Sequence, residues 1–191
     1  MPRWTLSVRS VLYRVHRRAL GPWFFGSSGD GRFDLDAPSG TCYLATDETT
    51  AVLEVIGVEF AGRVVPESTF AGRVLRRLQV PNRAYLADLC VSLAASFGVT
   101  NELTQMVPYD IPQEWAALLD SWRFGGIRYR SRFDPGAGLS IALFGRRGER
   151  TSWPKGSAQA FDATVYARLR AGCGLIVEGT PSLAQVTVVA L

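Results

Sequence analysis

Three side chains between Gly29 and Ile56 have chemistry to offer: Arg32, Tyr43 and Glu54. Glu54 is the oddest. It sits in Ala-Val-Leu-Glu-Val-Ile-Gly-Val, among aliphatic neighbours, so little of its helix surface can face water. A buried carboxylate without a partner is costly and finds a cation or hydrogen-bond donors. Arg32 follows a glycine-punctuated turn, and arginine stays charged when buried and binds phosphate through a two-pronged fork. Tyr43 brings a stacking face and a hydroxyl. Ser131 and a second cation, Arg14, complete the set. A glutamate held ionised beside arginine stabilises a sugar cation, the charge that develops as a glycosidic bond breaks. These residues together suit a nucleotide whose N-glycosidic bond is cleaved. A buried Arg–Glu pair that only holds a fold together would read the same way.

Other chemistries are excluded. There is no G-x-S-x-G elbow, no Walker phosphate loop and no strand-anchored G-x-G-x-x-G. The one histidine, His16, lies in the basic Arg14–Arg18 segment and reads as an ordinary polar residue. The lack of a second histidine and of closely spaced cysteines argues against the common zinc sites, so the chemistry is expected to be metal-free; no cofactor is expected. Cys42, Cys90 and Cys173 are odd in number and scattered, which fits a reducing cytoplasm and argues against a disulfide framework.

The 191 residues suit one domain, and 47% apolar with 20% charged residues is a globular balance. No apolar run reaches the roughly 18 residues of a transmembrane helix, and Met-Pro-Arg-Trp-Thr-Leu lacks a signal peptide's apolar core. The net charge of +4, from 21 basic and 17 acidic residues, mildly favours anionic partners.

The elements that must position these groups follow from periodicity. Val11–His16 is a strand with Leu12, Arg14 and His16 on one face and Val11, Tyr13 and Val15 on the other. The aromatics of Gly21–Gly26, Trp23 among them, either close a core edge or offer a surface for a ring to stack on. Ser27–Gly31 is a polar loop delivering Arg32, and Thr41–Ala45 is a buried strand. A helix starts near Asp47, capped by Thr46 or Asp47, weakened at Gly57 and ended by Gly62. Arg73, Arg76 and Arg77 form a solvated face. A strand ends near Asp88 with a helix after it, and Thr100 caps a further helical segment. Gln113–Trp122 is an amphipathic helix with Trp115, Leu118, Leu119 and Trp122 recurring every three or four residues. Ile127–Phe133 and Leu139–Phe144 alternate and form a hairpin across Asp-Pro-Gly-Ala-Gly. That alternation turns Ser131 inward with Ile127, Tyr129 and Phe133, and Arg128, Arg130 and Arg132 outward. Gly145–Gly156 reads as a loop, Ala158–Leu169 as a helix, and Leu175–Val177 and Val186–Val189 as closing strands.

Four stretches carry a resemblance: Leu12-Tyr13-Arg14-Val15; Gly31-Arg32-Phe33; Thr41–Ala45 with Ala51–Val55; and Gly126–Arg132. In this order and spacing they resemble the RES domain family, named for its Arg, Glu and Ser, over residues 11 to 145. The resemblance implies a bacterial toxin of a toxin–antitoxin pair, with a fold related to ADP-ribosyltransferases. It also implies consumption of NAD⁺ by hydrolysis, by phosphorolysis or by transfer of ADP-ribose to a protein. Carried over, the named residues fall on Arg32, Glu54 and Ser131, with Tyr43 as an additional site tyrosine. Members often carry Trp-Asn after the motif arginine. Here Phe33-Asp34 keeps the ring and replaces an amide with an acid.

The expectation is therefore an α+β fold: a bent, mixed sheet of about six strands flanked by helices, similar to the ADP-ribosyltransferase fold. It forms one domain over residues 1–191, with helix and strands in 158–191 completing the motif-bearing core. Arg32, with Arg14, grips the diphosphate of NAD⁺ as substrate. Tyr43, with an aromatic such as Trp23, packs on the nicotinamide or its ribose. Glu54 stabilises the ribosyl cation and orients the nucleophile, and Ser131 bonds the substrate or holds a catalytic side chain. Phosphate and a cognate antitoxin, Xre-type from the resemblance, are the expected partners, with no membrane and no nucleic acid bound by the chain itself. A protein-directed ADP-ribosyltransferase is the alternative, sharing the first half of the mechanism. A non-catalytic nucleic-acid module using Arg128, Arg130 and Arg132 is a second, disfavoured because Tyr129 and Phe133 face the other way.

Overall fold

The alternation of buried and exposed residues is what builds the sheet. In the computed structural model, which describes residues 1–57 and 64–179, twelve strands are numbered in chain order: β1 (Arg3–Leu6), β2 (Val11–Arg17), β3 (Phe24–Phe25), β4 (Ser39–Ala45), β5 (Val64–Pro66), β6 (Arg73–Gln79), β7 (Ala84–Asp88), β8 (Gly126–Arg130), β9 (Leu139–Arg146), β10 (Gly148–Glu149), β11 (Ser157–Gln159) and β12 (Ile176–Glu178). Eight of these, rather than about six, form one sheet in the order β1-β7-β8-β9-β4-β2-β6-β11. It is mixed, because β7 and β8 run parallel while its other neighbours are antiparallel. β3 pairs with β10, and β5 pairs with β12 in parallel.

Among the described residues three α-helices flank the strands: α1 (Glu48–Ile56), α2 (Asp110–Ser121) and α3 (Ala163–Cys173). Asp47 caps α1, its carboxylate accepting from the Thr50 amide, the role expected of an acid at a helix start. The helix ends at Gly57, whose φ of 51° suits glycine. Gly62, the end expected from the sequence, lies outside the described residues, as does the strand expected at Val186–Val189. α2 begins at Asp110, three residues before the expected start. Pro112 falls in its first turn, where a missing N–H costs nothing. Its buried face is Pro112, Ala116 and Leu119. Leu118 and Trp122, expected in the core stripe, are 41% and 48% exposed. The expected helix at Ala158–Leu169 is displaced: Ser157–Gln159 adds a strand to β6, and α3 begins at Ala163 behind an Asp162 cap. The segment after β7 winds as short 3₁₀ turns over Ser92–Phe97 and Asn101–Thr104.

The period of two sorts residues onto two faces. On one face Leu12, Leu44, Leu78, Leu86 and Ile141 join Trp23 and Phe25 in one core cluster. On the other, Val15, Ala45 and Leu75 pack under α1 and α3, and Ile127, Tyr129 and Ala142 under α2 and its approach. The chemistry-bearing residues gather on this second face. β2 and β4 are joined at one pair only, Tyr13 with Ala45, and a cleft opens where they part.

A candidate active site in the split between β2 and β4

The cleft has a volume of about 310 Å³, and its walls include Arg32, Tyr43, Glu54, Tyr109, Tyr129 and Phe133. A narrower extension reaches Tyr13 and Ala51 under α1. Four of the sequence-predicted residues, Arg14, Arg32, Tyr43 and Glu54, are thus brought to one cleft.

Arg32 comes from the loop between β3 and β4. The Asp34 carboxylate organises that loop, accepting from the Gly29 and Gly31 amides at 3.1 Å each and from the Ser28 hydroxyl at 3.4 Å. Asp34 also accepts from the Tyr43 hydroxyl at 2.9 Å, and that hydroxyl accepts from the Phe33 amide at 2.8 Å. A side chain at Gly31 would run into both the Tyr43 hydroxyl and the Asp34 carboxylate, which is why only glycine fits there. Gln113 of α2 clamps the same loop through the Gly29 and Gly31 carbonyls. The Arg32 guanidinium donates to the Met106 carbonyl at 2.7 Å and lies 4.7 Å from the centre of the Tyr109 ring. Among the described residues it forms no ion pair. Burial lowers its pKa and the rings and Glu54 oppose that, but an arginine remains charged.

Glu54 sits on the cleft-facing side of α1, half-buried rather than buried outright. The partner its sequence context demands is a hydroxyl: Ser140 on β9 donates to Oε1 at 2.8 Å. No cation pairs with Glu54 among the described residues. Ser140 lies directly opposite Tyr129 in the β8–β9 ladder. Burial pushes the Tyr129 hydroxyl well above its ordinary range, with Glu54's charge adding to it. Burial and Asp34 do the same to Tyr43. Both tyrosines are therefore neutral near pH 7.

Arg14, Trp23 and Ser131 have structural partners in place of the roles expected of them. Arg14 touches the cleft, but its guanidinium is committed to the Pro22 carbonyl at 2.6 Å, the Phe24 carbonyl at 3.1 Å and the Cys42 sulfur at 2.8 Å. It clamps a loop. Trp23 has no exposed surface and donates to the Pro154 carbonyl, so of the two readings of the Gly21–Gly26 aromatics, the core edge holds at Trp23 and Phe25. Ser131 lies past the end of β8, off the ladder and off the cleft lining. Its hydroxyl accepts from the Phe133 amide at 3.0 Å and so fixes the turn that brings the Phe133 ring to the cleft. Because the strand stops at Arg130, the outward alternation fails beyond it. Arg132 packs over Phe133 and donates to the Gln105 carbonyl, close enough for its charge to reach Arg32. Arg128 is also not solvated: it forms an ion pair with Asp88 at 2.9 Å and covers Trp4.

Sequence reasoning did not reach Ser140, Tyr129 or Tyr109 as site residues. One polar residue in the otherwise apolar Leu139–Phe144 strand was the signal for Ser140, and hairpin register would have placed it opposite Tyr129. Tyr109, between Pro108 and Pro112, carries no periodic signal.

The RES domain family model matches residues 11–164. The chain belongs to the RES domain family. No curated protein matches it. Among solved structures, a chain from the crystal structure of the M. tuberculosis MbcT–MbcA toxin–antitoxin complex superposes with a TM-score of 0.66 at 18% identity, covering 87% of this chain and 92% of that one. At that identity the likeness is one of fold. In this RES domain Arg32 and Glu54 stand on the walls of one cleft, and the Ser131 hydroxyl accepts from the amide of Phe133, whose ring lines it. Asp34, an acid where members often carry asparagine, has a structural task here as the acceptor around which the Arg32 loop folds.

Proposed function

We propose that this RES domain cleaves the nicotinamide–ribose bond of NAD⁺ and acts as the toxin of a toxin–antitoxin pair in a reducing cytoplasm. One observation carries the chemistry. Arg32 and Glu54, opposite charges with no ion-pair partner among the described residues, line the same aromatic cleft. An unneutralised arginine suits a diphosphate, and an unneutralised carboxylate suits a developing cation.

In this reading Arg32 holds the diphosphate, and the Tyr43 ring forms the wall for the nicotinamide ribose, its hydroxyl being engaged with Asp34. The glycosidic C–N bond breaks with its electron pair passing to the pyridinium nitrogen, which leaves as neutral nicotinamide. The ribosyl cation left behind faces Glu54, whose carboxylate stabilises it. Water or phosphate then adds to the same carbon, and water gives up its proton to solvent. The family match and the MbcT–MbcA likeness support an antitoxin partner that neutralises this activity, an Xre-type protein on the family resemblance.

Incubating the purified protein with NAD⁺, with and without phosphate, and identifying the products tests this. Free ADP-ribose, its 1″-phosphate or a labelled protein separates water, phosphate and protein as acceptor. Intact NAD⁺ both with and without phosphate would remove the proposal.

A further inference from the structure

We propose that the exposed apolar stripe of α2 is a dimer interface, and that its occupant is the α2 of a second copy of this chain, packed antiparallel about a two-fold axis. The stripe is Ile111, Trp115, Leu118 and Trp122. The core takes the neighbouring side of the helix, through Pro112, Ala116 and Leu119. Ile111 is 51% exposed, Leu118 and Trp122 stand in solvent with it, and Trp115 is only partly buried at the edge of the core. The helical turn carries on through Trp122, whose amide donates to the Leu118 carbonyl. Single exposed apolar residues are ordinary on a protein surface. Four in one helical register, two of them tryptophan, form a patch of the kind that interfaces use.

Two features of the stripe fit a second copy. The first is spacing. Steps of four, three and four residues are the seam of a two-stranded coil, and they read the same in both directions. Under a two-fold between Trp115 and Leu118, Ile111 meets the partner's Trp122 and Trp115 meets the partner's Leu118. Packing one patch against itself is what a two-fold requires. The second feature is charge. The same axis sets Asp110, at one end of the stripe, against the partner's Arg123 at the other end, twice over. Asp110 and Arg123 are both exposed, and neither forms an ion pair among the described residues. The cleft stays open, because Gln113, which clamps the Arg32 loop, lies about half a turn round the helix from the stripe. Twelve residues of helix give a contact about 18 Å long. That is small beside a permanent interface, so the dimer is reversible and concentration-dependent.

This association is independent of the reaction and is tested on the whole chain by sedimentation velocity from about 1 to 100 µM. The wild type is expected to shift from the mass of one chain toward that of two. Leu118→Glu, at an exposed position on the seam, should weaken the dimer at least about tenfold, while its melting temperature at low concentration matches that of the wild type. Asp110→Arg and Arg123→Asp each set like charges opposite one another and should also weaken it. Mixed in equal amounts, these two variants should form a dimer again, because each supplies the charge the other lacks. A wild type that stays monomeric throughout, or a dimer untouched by Leu118→Glu, overturns the proposal. Charge variants that leave the dimer unchanged, or that fail to restore it when mixed, contradict the antiparallel pairing.

Discussion

The Tyr43 hydroxyl donates to Asp34 Oδ1 at 2.9 Å while accepting from the Phe33 amide at 2.8 Å, so the cleft meets the ring of this tyrosine and not its oxygen. The same carboxylate receives two glycine amides and a serine hydroxyl, which makes Asp34 the anchor of the loop that carries Arg32.

Asp34→Asn should therefore lower stability even though the amide is the same size. An amide nitrogen cannot accept, so at least one buried donor is left unpaired, at about 1–3 kcal/mol. Thermal unfolding of the variant checks this, and an unchanged melting temperature would mean the loop is held by Gln113 alone.

Arg32→Ala should abolish nicotinamide release while the protein stays folded. The losses to the fold are one hydrogen bond to Met106 and one ring contact with Tyr109, together about 1–2 kcal/mol. Arg32→Lys should rescue poorly, since a point charge lacks the fork. Wild-type turnover in Arg32→Ala would remove Arg32 from the site.

The two arginines of β8 should separate. Arg130→Ser should be neutral, because the side chain is exposed. Arg128→Ser strands the buried Asp88 carboxylate and should cost about 1.5–3 kcal/mol in denaturant unfolding. KM for NAD⁺ should stay within a few-fold in both. A large rise in either would put that face of β8 against substrate.

His16 makes the fold sensitive to mild acid. Burial, reinforced by Arg14 and Arg76, holds its pKa below 6.5 in the folded state. The unfolded chain takes the proton first as pH falls, so stability is lost below about pH 6.5 and down toward the folded value. The melting temperature of the wild type should fall more between pH 7.5 and 5.5 than that of His16→Gln. Parallel curves would show that His16 titrates freely.

How far the sequence reaches is decided by periodicity. Strands β2, β4 and β7 and the β8–β9 hairpin were legible because each alternates or forms a bounded apolar run. The placement of Arg32, Tyr43 and Glu54 around one cavity followed from their motif resemblance. What could not be read is set by tertiary contacts. Ser131 is buried, as its alternation with Tyr129 predicts, but the chain leaves the ladder at Arg130 and its hydroxyl serves the turn to Phe133. Arg14 looked like a free cation, but Pro22 and Phe24, eight and ten residues on, take its donors. Glu54 invited an arginine partner and found Ser140, a contact across 86 residues that local pattern does not encode.

The most direct test compares nicotinamide release from NAD⁺ by the wild type and by Glu54→Gln, with melting temperatures measured on the same samples. The Glu54 carboxylate faces a cleft without an ion-pair partner among the described residues, so removing its charge should leave stability near or above that of the wild type. Turnover should fall by about a hundredfold or more, on the order of 3 kcal/mol of transition-state stabilisation. A Glu54→Gln protein that is destabilised but still releases nicotinamide at the wild-type rate would make Glu54 a structural residue and contradict the account.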